Sequence, residues 1–256
     1  CIGANTALYS VIDAVLLDPL PYPNSDRLVR VVNSYPGAGF DRGSTSGPDF
    51  FFRRDRIDAF DEVAQYQYWG HTVGEPGSTE RVQSMRVTPS LLPMLGVQPI
   101  LGRAFFEEEM DPGSEQKVLL SYGFWQERHG GDPAVVGTDL RINGRPYVIV
   151  GVLPEDFRFL GERENRLFVP IPYAFDERGI DNLHNNNFEM LARLAPGATA
   201  EQAASEIAAL DAGLVQEIPI PNFEQILEDA GYRARVLPLK ADLVRDVEPV
   251  FMLLWA

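Results

Sequence analysis

Two apolar stretches, one at each end of the chain, bracket a long acidic middle, and this arrangement constrains the fold more than any motif inside it. Ile2 to Leu17 is almost wholly apolar or small, interrupted only by Asn5, Thr6, Ser10 and Asp13, and Val250 to Ala256 begins a second apolar run. Each is shorter than the roughly 20 apolar residues that cross a bilayer as a helix. Read as the inner ends of two membrane helices, with Asp13 placed where the first has left the hydrocarbon, they predict a water-soluble body held between two spans. An amphipathic helix on a soluble core is the competing reading of the first stretch. A secretory signal fits less well, since no basic segment and no small-residue cleavage site is present. Cys1 as a lipidated first residue would need a lipobox ahead of it.

Composition bounds the middle. A chain of 256 residues, 45% hydrophobic and 23% charged, can bury a full core and room remains for a second. A formal net charge of −15 opposes binding to a nucleic-acid phosphate backbone or an anionic membrane surface. The single cysteine cannot close an internal disulfide, so cysteine usage leaves the redox compartment open.

Periodicity and punctuation give a mixed α and β chain with short connections. Pro19, Pro21 and Pro23 stop the first helix, because proline removes backbone donors and biases its predecessor to extended geometry. Arg27 to Asn33 reads as a strand. Ser46, Pro48 and Asp49 form a helix-start signature, and the helix is expected to run to about Phe60. Val63 to Trp69 and Arg81 to Val87 are strand candidates around the turn Gly74 to Gly77. Pro89 to Leu95 reads as a short helix ended by Gly96, Lys117 to Ser121 as a strand, and Tyr122 to His129 as a helix closed by Gly130 and Gly131. Asp139 to Val152 is a hairpin in which Asn143-Gly144 supplies a two-residue turn with positive φ. Leu167 to Pro170 and Phe188 to Leu194 are further strands. Thr199 and Gln202 suggest a capping box for a helix to about Gln216 whose Ala203, Ile207, Leu210 and Leu214 share one face. Arg233 to Leu239 closes the set.

Chemistry-bearing patterns are sparse. His71, His129 and His184 lie far apart in sequence and in no metal-ligand spacing, and are expected to cap helix ends or face solvent. Glu107, Glu108, Glu109 and Asp111 lack the spaced oxygens of a calcium loop and read as a solvated charge run. No nucleophile elbow and no phosphate-binding glycine loop is present, so no catalytic, cofactor-binding or metal-binding residue is assigned. The aromatics Phe50 to Phe52, Phe105, Phe106 and Tyr66 to Trp69 read either as core or as the lining of a ligand groove.

An ordered series of short segments resembles one family. Gly3 to Ala7, Ser10 to Leu17 and Pro19 to Pro23, then Leu95 to Phe105, Leu120 to Trp125 and Gly130 to Gly137, then Ile142 to Gly144, Val150 to Phe157 and Ala192 to Thr199 are similar to MacB-like periplasmic core domains of FtsX-type ABC transporter permeases. The similarity is greatest to the acidobacterial duplicated orphan permeases, and it covers nearly the whole chain in order. It implies an α+β fold: a discontinuous porter-like βαβ subdomain with an inserted Sabre-like mixed α/β subdomain, flanked by truncated transmembrane helices. The implied division is 1–20 for the first helix and its exit, 21–86 and 186–246 for the porter-like part, 87–185 for the insert and 247–256 for the start of the second helix.

The resemblance further implies a non-enzymatic role in mechanotransmission, without cofactors, on the periplasmic side of a bacterial inner membrane. The implied partners are a separate cytoplasmic ABC ATPase, the membrane through the flanking helices, and a second copy of the domain in the same chain or a homodimer. Pro19, Pro21 and Pro23 are the candidate coupling residues, because a stiff exit passes helix displacement on as rigid-body movement. A stand-alone soluble or lipid-anchored extracytoplasmic binding protein of the same fold is the alternative.

Overall fold

A computed structural model describes residues 20–161, 165–218 and 220–245. Pro19 and the two apolar terminal stretches lie outside the described residues, and among the described residues no helix is long and apolar enough to cross a membrane. Eleven strands form one sheet: β1 (Leu28–Tyr35), β2 (Phe40–Gly43), β3 (Phe60–Glu75), β4 (Ser78–Val87), β5 (Leu101–Gly102), β6 (Lys117–Leu120), β7 (Asp139–Ile142), β8 (Arg145–Val152), β9 (Leu167–Pro170), β10 (Glu189–Leu194) and β11 (Arg233–Pro238). The helices are α1 (Gly47–Arg56), α2 (Leu91–Met94), α3 (Tyr122–His129), α4 (Ala200–Val215), α5 (Phe223–Ala230) and α6 (Leu239–Val244).

The strand order is β11-β1-β10-β3-β4-β9-β6-β8-β5, with β2 on β1 and β7 bridging β3 and β8. Strands from both ends of the described chain therefore make one half of the sheet, and those between Leu101 and Pro170 make the other. The halves meet where Ser84 to Val87 of β4 pair in parallel with Leu167 to Pro170 of β9. The mixed α+β architecture is the one expected from the sequence.

Local chemistry explains most boundaries. The Ser46 hydroxyl accepts from the Asp49 amide and the Asp49 carboxylate accepts from the Ser46 amide, a complete capping box that starts α1. The helix ends at Arg56 and not near Phe60, because Phe60 is already paired to Leu194 in the sheet. The two strands expected around Gly74 to Gly77 are parts of one longer hairpin whose pairing runs out to Glu75 and Ser78. Thr199 caps α4 through the Gln202 amide, but the Gln202 side chain donates to Glu206, so only half of the expected box forms. Helix α5 has no counterpart in the sequence reading. It starts from Asn222 in a left-handed conformation without a side-chain cap, which removes the usual start signal.

Three apolar clusters fix which side of the sheet is which. One face carries Leu28, Tyr66, Met85, Val87, Phe168 and Leu191 beneath α2 and the start of α6. The other face carries two separate clusters. Val31, Val63, Met190 and Ala192 pack under Phe50 of α1 and Ala203 and Ile207 of α4. Val73, Val82, Leu120, Ile149 and Leu167 pack under Phe124 and Trp125 of α3. At roughly 1.5–3 kcal/mol for each fully buried large aliphatic or aromatic side chain, these clusters supply the main favourable term in folding. Side chains alternate along a strand, so Val63 and Val73 of β3 face the same way, one into each cluster. Between them the same face presents Gln65, Gln67, Trp69 and His71, opposite Ser84 and Arg86 of β4.

The tip of the β7–β8 hairpin has the expected geometry. Asn143 sits at φ 49° and Gly144 at φ 79°, both exposed. The Asn143 amide donates to the Thr72 carbonyl at 2.7 Å, and its side-chain oxygen accepts from the Thr72 amide at 2.9 Å. The tip is thereby docked on the outer end of β3. A β-branched residue at Gly144 has open space but the wrong φ, so Gly144→Val is expected to cost on the order of 1 kcal/mol or more. Thermal or denaturant unfolding of the domain checks this, and an unchanged midpoint would refute the turn assignment.

Candidate functional site

The polar stripe on β3 and β4 is the floor of a cleft. With helices covering the apolar clusters on either side, the sheet between them stays open, and the gap is a cavity of about 500 Å³. Gln67, Trp69 and Arg86 form the floor, while Tyr173, Glu177 and Phe188 belong to the walls. Asn182, Asn185 and Asn187 add amide groups from the loop before β10.

A buried polar core holds that loop and one wall in place. The Arg53 guanidinium, wholly buried, lies 2.8 Å from Asp49 Oδ1 and donates to Asn33 Oδ1 at 2.8 Å. The Asn33 amide donates to Asp49 Oδ2 and to Asn186 Oδ1, both at 3.0 Å. Asn186 in turn donates to the Tyr35 hydroxyl at 2.9 Å, and Tyr35 meets His184 Nδ1 at 2.7 Å. Tyr232 closes the group by donating to Asp211 Oδ2 at 2.6 Å. Burial pushes the Asp211 carboxyl and the Tyr232 hydroxyl up and brings Tyr35 to about 12, while Arg53 stays charged because Asp49 and its other acidic neighbours outweigh its own burial. Gln65, at the α1 side of the floor, donates to Thr45 Oγ1 and the Ser46 carbonyl and accepts from Tyr173 at 2.6 Å, which fixes the Tyr173 wall.

A second arrangement lies on the opposite face, where the chain enters the sheet. Arg193 of β10, only 5% exposed, donates to the Pro23 carbonyl at 2.7 Å, to the Asn24 carbonyl at 3.0 Å and to the Met94 carbonyl, and pairs with Glu62 at 2.9 Å. One guanidinium thus ties the proline-rich entry to β3, β10 and α2. Tyr22 is buried, donating to the Arg158 carbonyl at 3.1 Å and accepting from the Leu160 amide at 2.8 Å. Gly96, at φ 71°, lies so close to Pro23 that a Cβ would stand 2.6 Å from its ring. At the other described end, Asp242 of α6 pairs with Arg30 at 3.2 Å and with Arg42. Helix α6 packs beside Ser25 to Arg27, so both described ends lie on one side of the body.

Pro21 and Pro23 are exposed beside buried Tyr22, within this clamped entry. Among the described residues no group of three or more His, Cys, Asp or Glu could hold a metal ion. The histidines differ from expectation. His129 closes α3, but His71 is buried in β3 with Nδ1 2.6 Å from Ser84 Oγ, and His184 packs against Tyr35, Tyr232 and Phe223. The acidic run is also only partly solvated. Glu109 is buried, gripped by both Arg103 terminal nitrogens at 2.7 and 3.1 Å, and it accepts from the Phe106 amide. The sequence reading missed Arg53, Arg86 and Arg193. For Arg86 and Arg193 the signal was available, a lone charge set among apolar neighbours on a strand that must be buried, whereas Arg53 is hidden in the charged run Arg53-Arg54-Asp55-Arg56.

Burial lowers the His71 pKa to about 4, with Arg86 and Arg81 pushing the same way. In the unfolded chain the ring titrates near its ordinary 6.5, so the neutral ring's contribution to stability is whole above that pH. It is lost progressively as pH falls from about 6.5 to about 4, because only the unfolded chain takes up the proton readily. His71→Gln should therefore flatten the fall in melting temperature across that interval. An equally steep fall in the variant would show that other groups set it.

A family model described as MacB-like periplasmic core domain matches residues 1–210. No curated protein matches this chain. Among solved structures, a domain assigned to a permease protein of Porphyromonas gingivalis superposes with a TM-score of 0.65 at 20% identity, over 85% of this chain and 92% of that one. The periplasmic region of MacB from Actinobacillus actinomycetemcomitans gives 0.52 at 9% identity, over 94% and 98% of the two chains. The extracellular domain of the noncanonic ABC-type transporter YknZ from Gram-positive bacteria gives 0.51 at 12% identity, over 82% and 99%. At these identities the structures speak for a shared fold.

Proposed function

The chain belongs to the MacB-like periplasmic core domain family, the periplasmic domain of ABC transporter permeases, and we propose that it passes the motion of flanking membrane helices to a cargo or partner without catalysing a reaction. The observation that carries this reading is the Arg193 clamp. An entry segment that merely tethered the body could be a flexible linker. Here it is held by the near-buried Arg193 guanidinium, by its own buried Tyr22 bonded to the Arg158 and Leu160 backbone, and by a glycine-sized contact at Gly96. Asp242 grips the other described end in the same manner. Displacing either end would move the sheet as one piece, because charge-assisted bonds made by the buried Arg193 and Asp242 charges are expensive to break one at a time.

In this reading the porter-like part, 21–86 and 186–246, takes up the displacement and the insert, 87–185, carries it outward through the β4–β9 pairing. The parent permease sits in the bacterial inner membrane, a cytoplasmic ABC ATPase drives it, and a second copy of the domain completes the assembly. Pro19, Pro21 and Pro23 stiffen the entry, and Arg193 and Asp242 fix it to the body.

The parent permease reconstituted with its ATPase in nanodiscs gives the test. A donor dye on Ala134→Cys in a Cys1→Ser background, with acceptor lipids in the bilayer, reads the height of the domain above the membrane. ATP is expected to change transfer efficiency in the parent protein. Arg193→Lys, which keeps the charge but not the fork of donors, and the triple change of Pro19, Pro21 and Pro23 to Gly should each reduce that change by more than half while ATP hydrolysis continues. An undiminished ATP response in both variants would overturn the coupling role.

A further inference from the structure

We propose that the cleft between the two helix-covered clusters is a binding site for a flat ligand bearing one anionic group, with the anion on Arg86 and the apolar body on Trp69. This goes beyond the coupling role and does not depend on it.

The arginines of the molecule set the contrast. Arg30, Arg53, Arg103 and Arg193 are each at least half withdrawn from water, and each has a carboxylate oxygen within 4.0 Å. Arg86 is withdrawn as well, yet among the described residues no carboxylate lies within that distance. Among the described residues its hydrogen-bond partner is the neutral Gln67 Oε1 at 3.2 Å. A guanidinium has five N–H donors, and a desolvated cation whose partners are a neutral amide oxygen and an aromatic ring is costly unless something else supplies the counter-charge. Burial lowers its pKa, and Tyr173 and Glu177 offset this only in part. The group nonetheless stays a cation at neutral pH, as arginine does in proteins.

The surroundings define the ligand further. Trp69 is 47% exposed although it sits in a concavity, and the Arg86 guanidinium lies 5.7 Å from its ring centroid. The guanidinium stands over the ring, and a half-exposed indole carrying a cation on it suits a planar apolar body with an acidic substituent. The cavity, about 500 Å³, is within the usual range of small-molecule sites. Glu115 and Glu177 on the rim accept from the Gly113 and Ala174 amides, so they are held as caps and do not reach Arg86. Their charge, added to a net −15 for the chain, repels a polyanion and leaves a monoanion as the acceptable partner.

The probe for the test is 1-anilinonaphthalene-8-sulfonate, a flat aromatic monosulfonate, with neutral N-phenyl-1-naphthylamine as its uncharged counterpart. Fluorescence titration of the folded domain should give saturable, single-site binding of the sulfonate. Arg86→Gln is expected to weaken the sulfonate about tenfold or more, the scale of a lost charge-assisted pair, and to leave the neutral probe within about twofold. Trp69→Ala should weaken both. Glu115→Gln should tighten the sulfonate and leave the neutral probe unchanged, whereas apolar surface exposed by a folding defect would take up both probes. Equal loss of both probes in Arg86→Gln, unchanged sulfonate binding in that variant, or no tightening in Glu115→Gln would overturn the assignment.

Discussion

Strand β3 is sixteen residues long because its hydrogen bonds are divided between two neighbours. Its first part, Phe60 to Tyr66, pairs with β10, and from Tyr66 to Glu75 it pairs with β4. Had the strand ended near Trp69, Val73 could not reach the cluster under α3, and the β7–β8 hairpin would lose its docking on Thr72 and Val73. The long hairpin is therefore the element on which both halves of the sheet are assembled. It also separates the two clusters on one face, and the polar stripe between them follows from that separation.

Charge is used in a consistent way around this frame. Acidic side chains outnumber basic ones, 37 to 22, so most carboxylates face water and the few buried arginines are placed where irregular backbone must be held. Arg53 fixes the loop before β10 through Asn33 and Asn186, Arg103 holds the turn at Glu109, and Arg193 gathers backbone carbonyls of the entry segment and α2. Loops lack the internal pairing of helices and sheets, so their carbonyls need outside donors, and a five-donor guanidinium can satisfy several at once.

Much of the element order was legible because it is written in local chemistry. The Ser46–Asp49 box, Gly130 and the Asn143-Gly144 turn each act within a few residues, and the structure places each as the sequence predicted, while Ser121, read as the end of a strand, caps α3 instead. Helix α5 was missed because Asn222 begins it without a side-chain cap. The cleft was half legible: Tyr66 to Trp69 stood out as aromatic, but the alternation that sends Tyr66 into the core and Trp69 into the cleft also sets Gln65, Gln67 and His71 on the open face. The parallel β4–β9 pairing could not be read, since its partners are some eighty residues apart and no local pattern encodes which strand edges meet. Still longer separations, 99 to 170 residues, hide the Arg193 clamp.

The clamp and the cleft share a strand, and this bears on how the proposed coupling would act. Arg193 pairs with Glu62, while Gln67 and Trp69 line the cleft, so the two sites lie roughly 16–23 Å apart along β3 at about 3.3 Å per residue. Pairing passes from β10 to β4 at Tyr66 without an unpaired residue, so the strand is held on one edge or the other all the way between them. Coupling through such an element is displacement of a rigid piece, since a two-state rearrangement would need a bistable contact that neither the capped α1 nor the satisfied Gln65 offers. A ligand in the cleft would thus be carried with the sheet, and its affinity would change only where a second body closes over the open face that Trp69 presents.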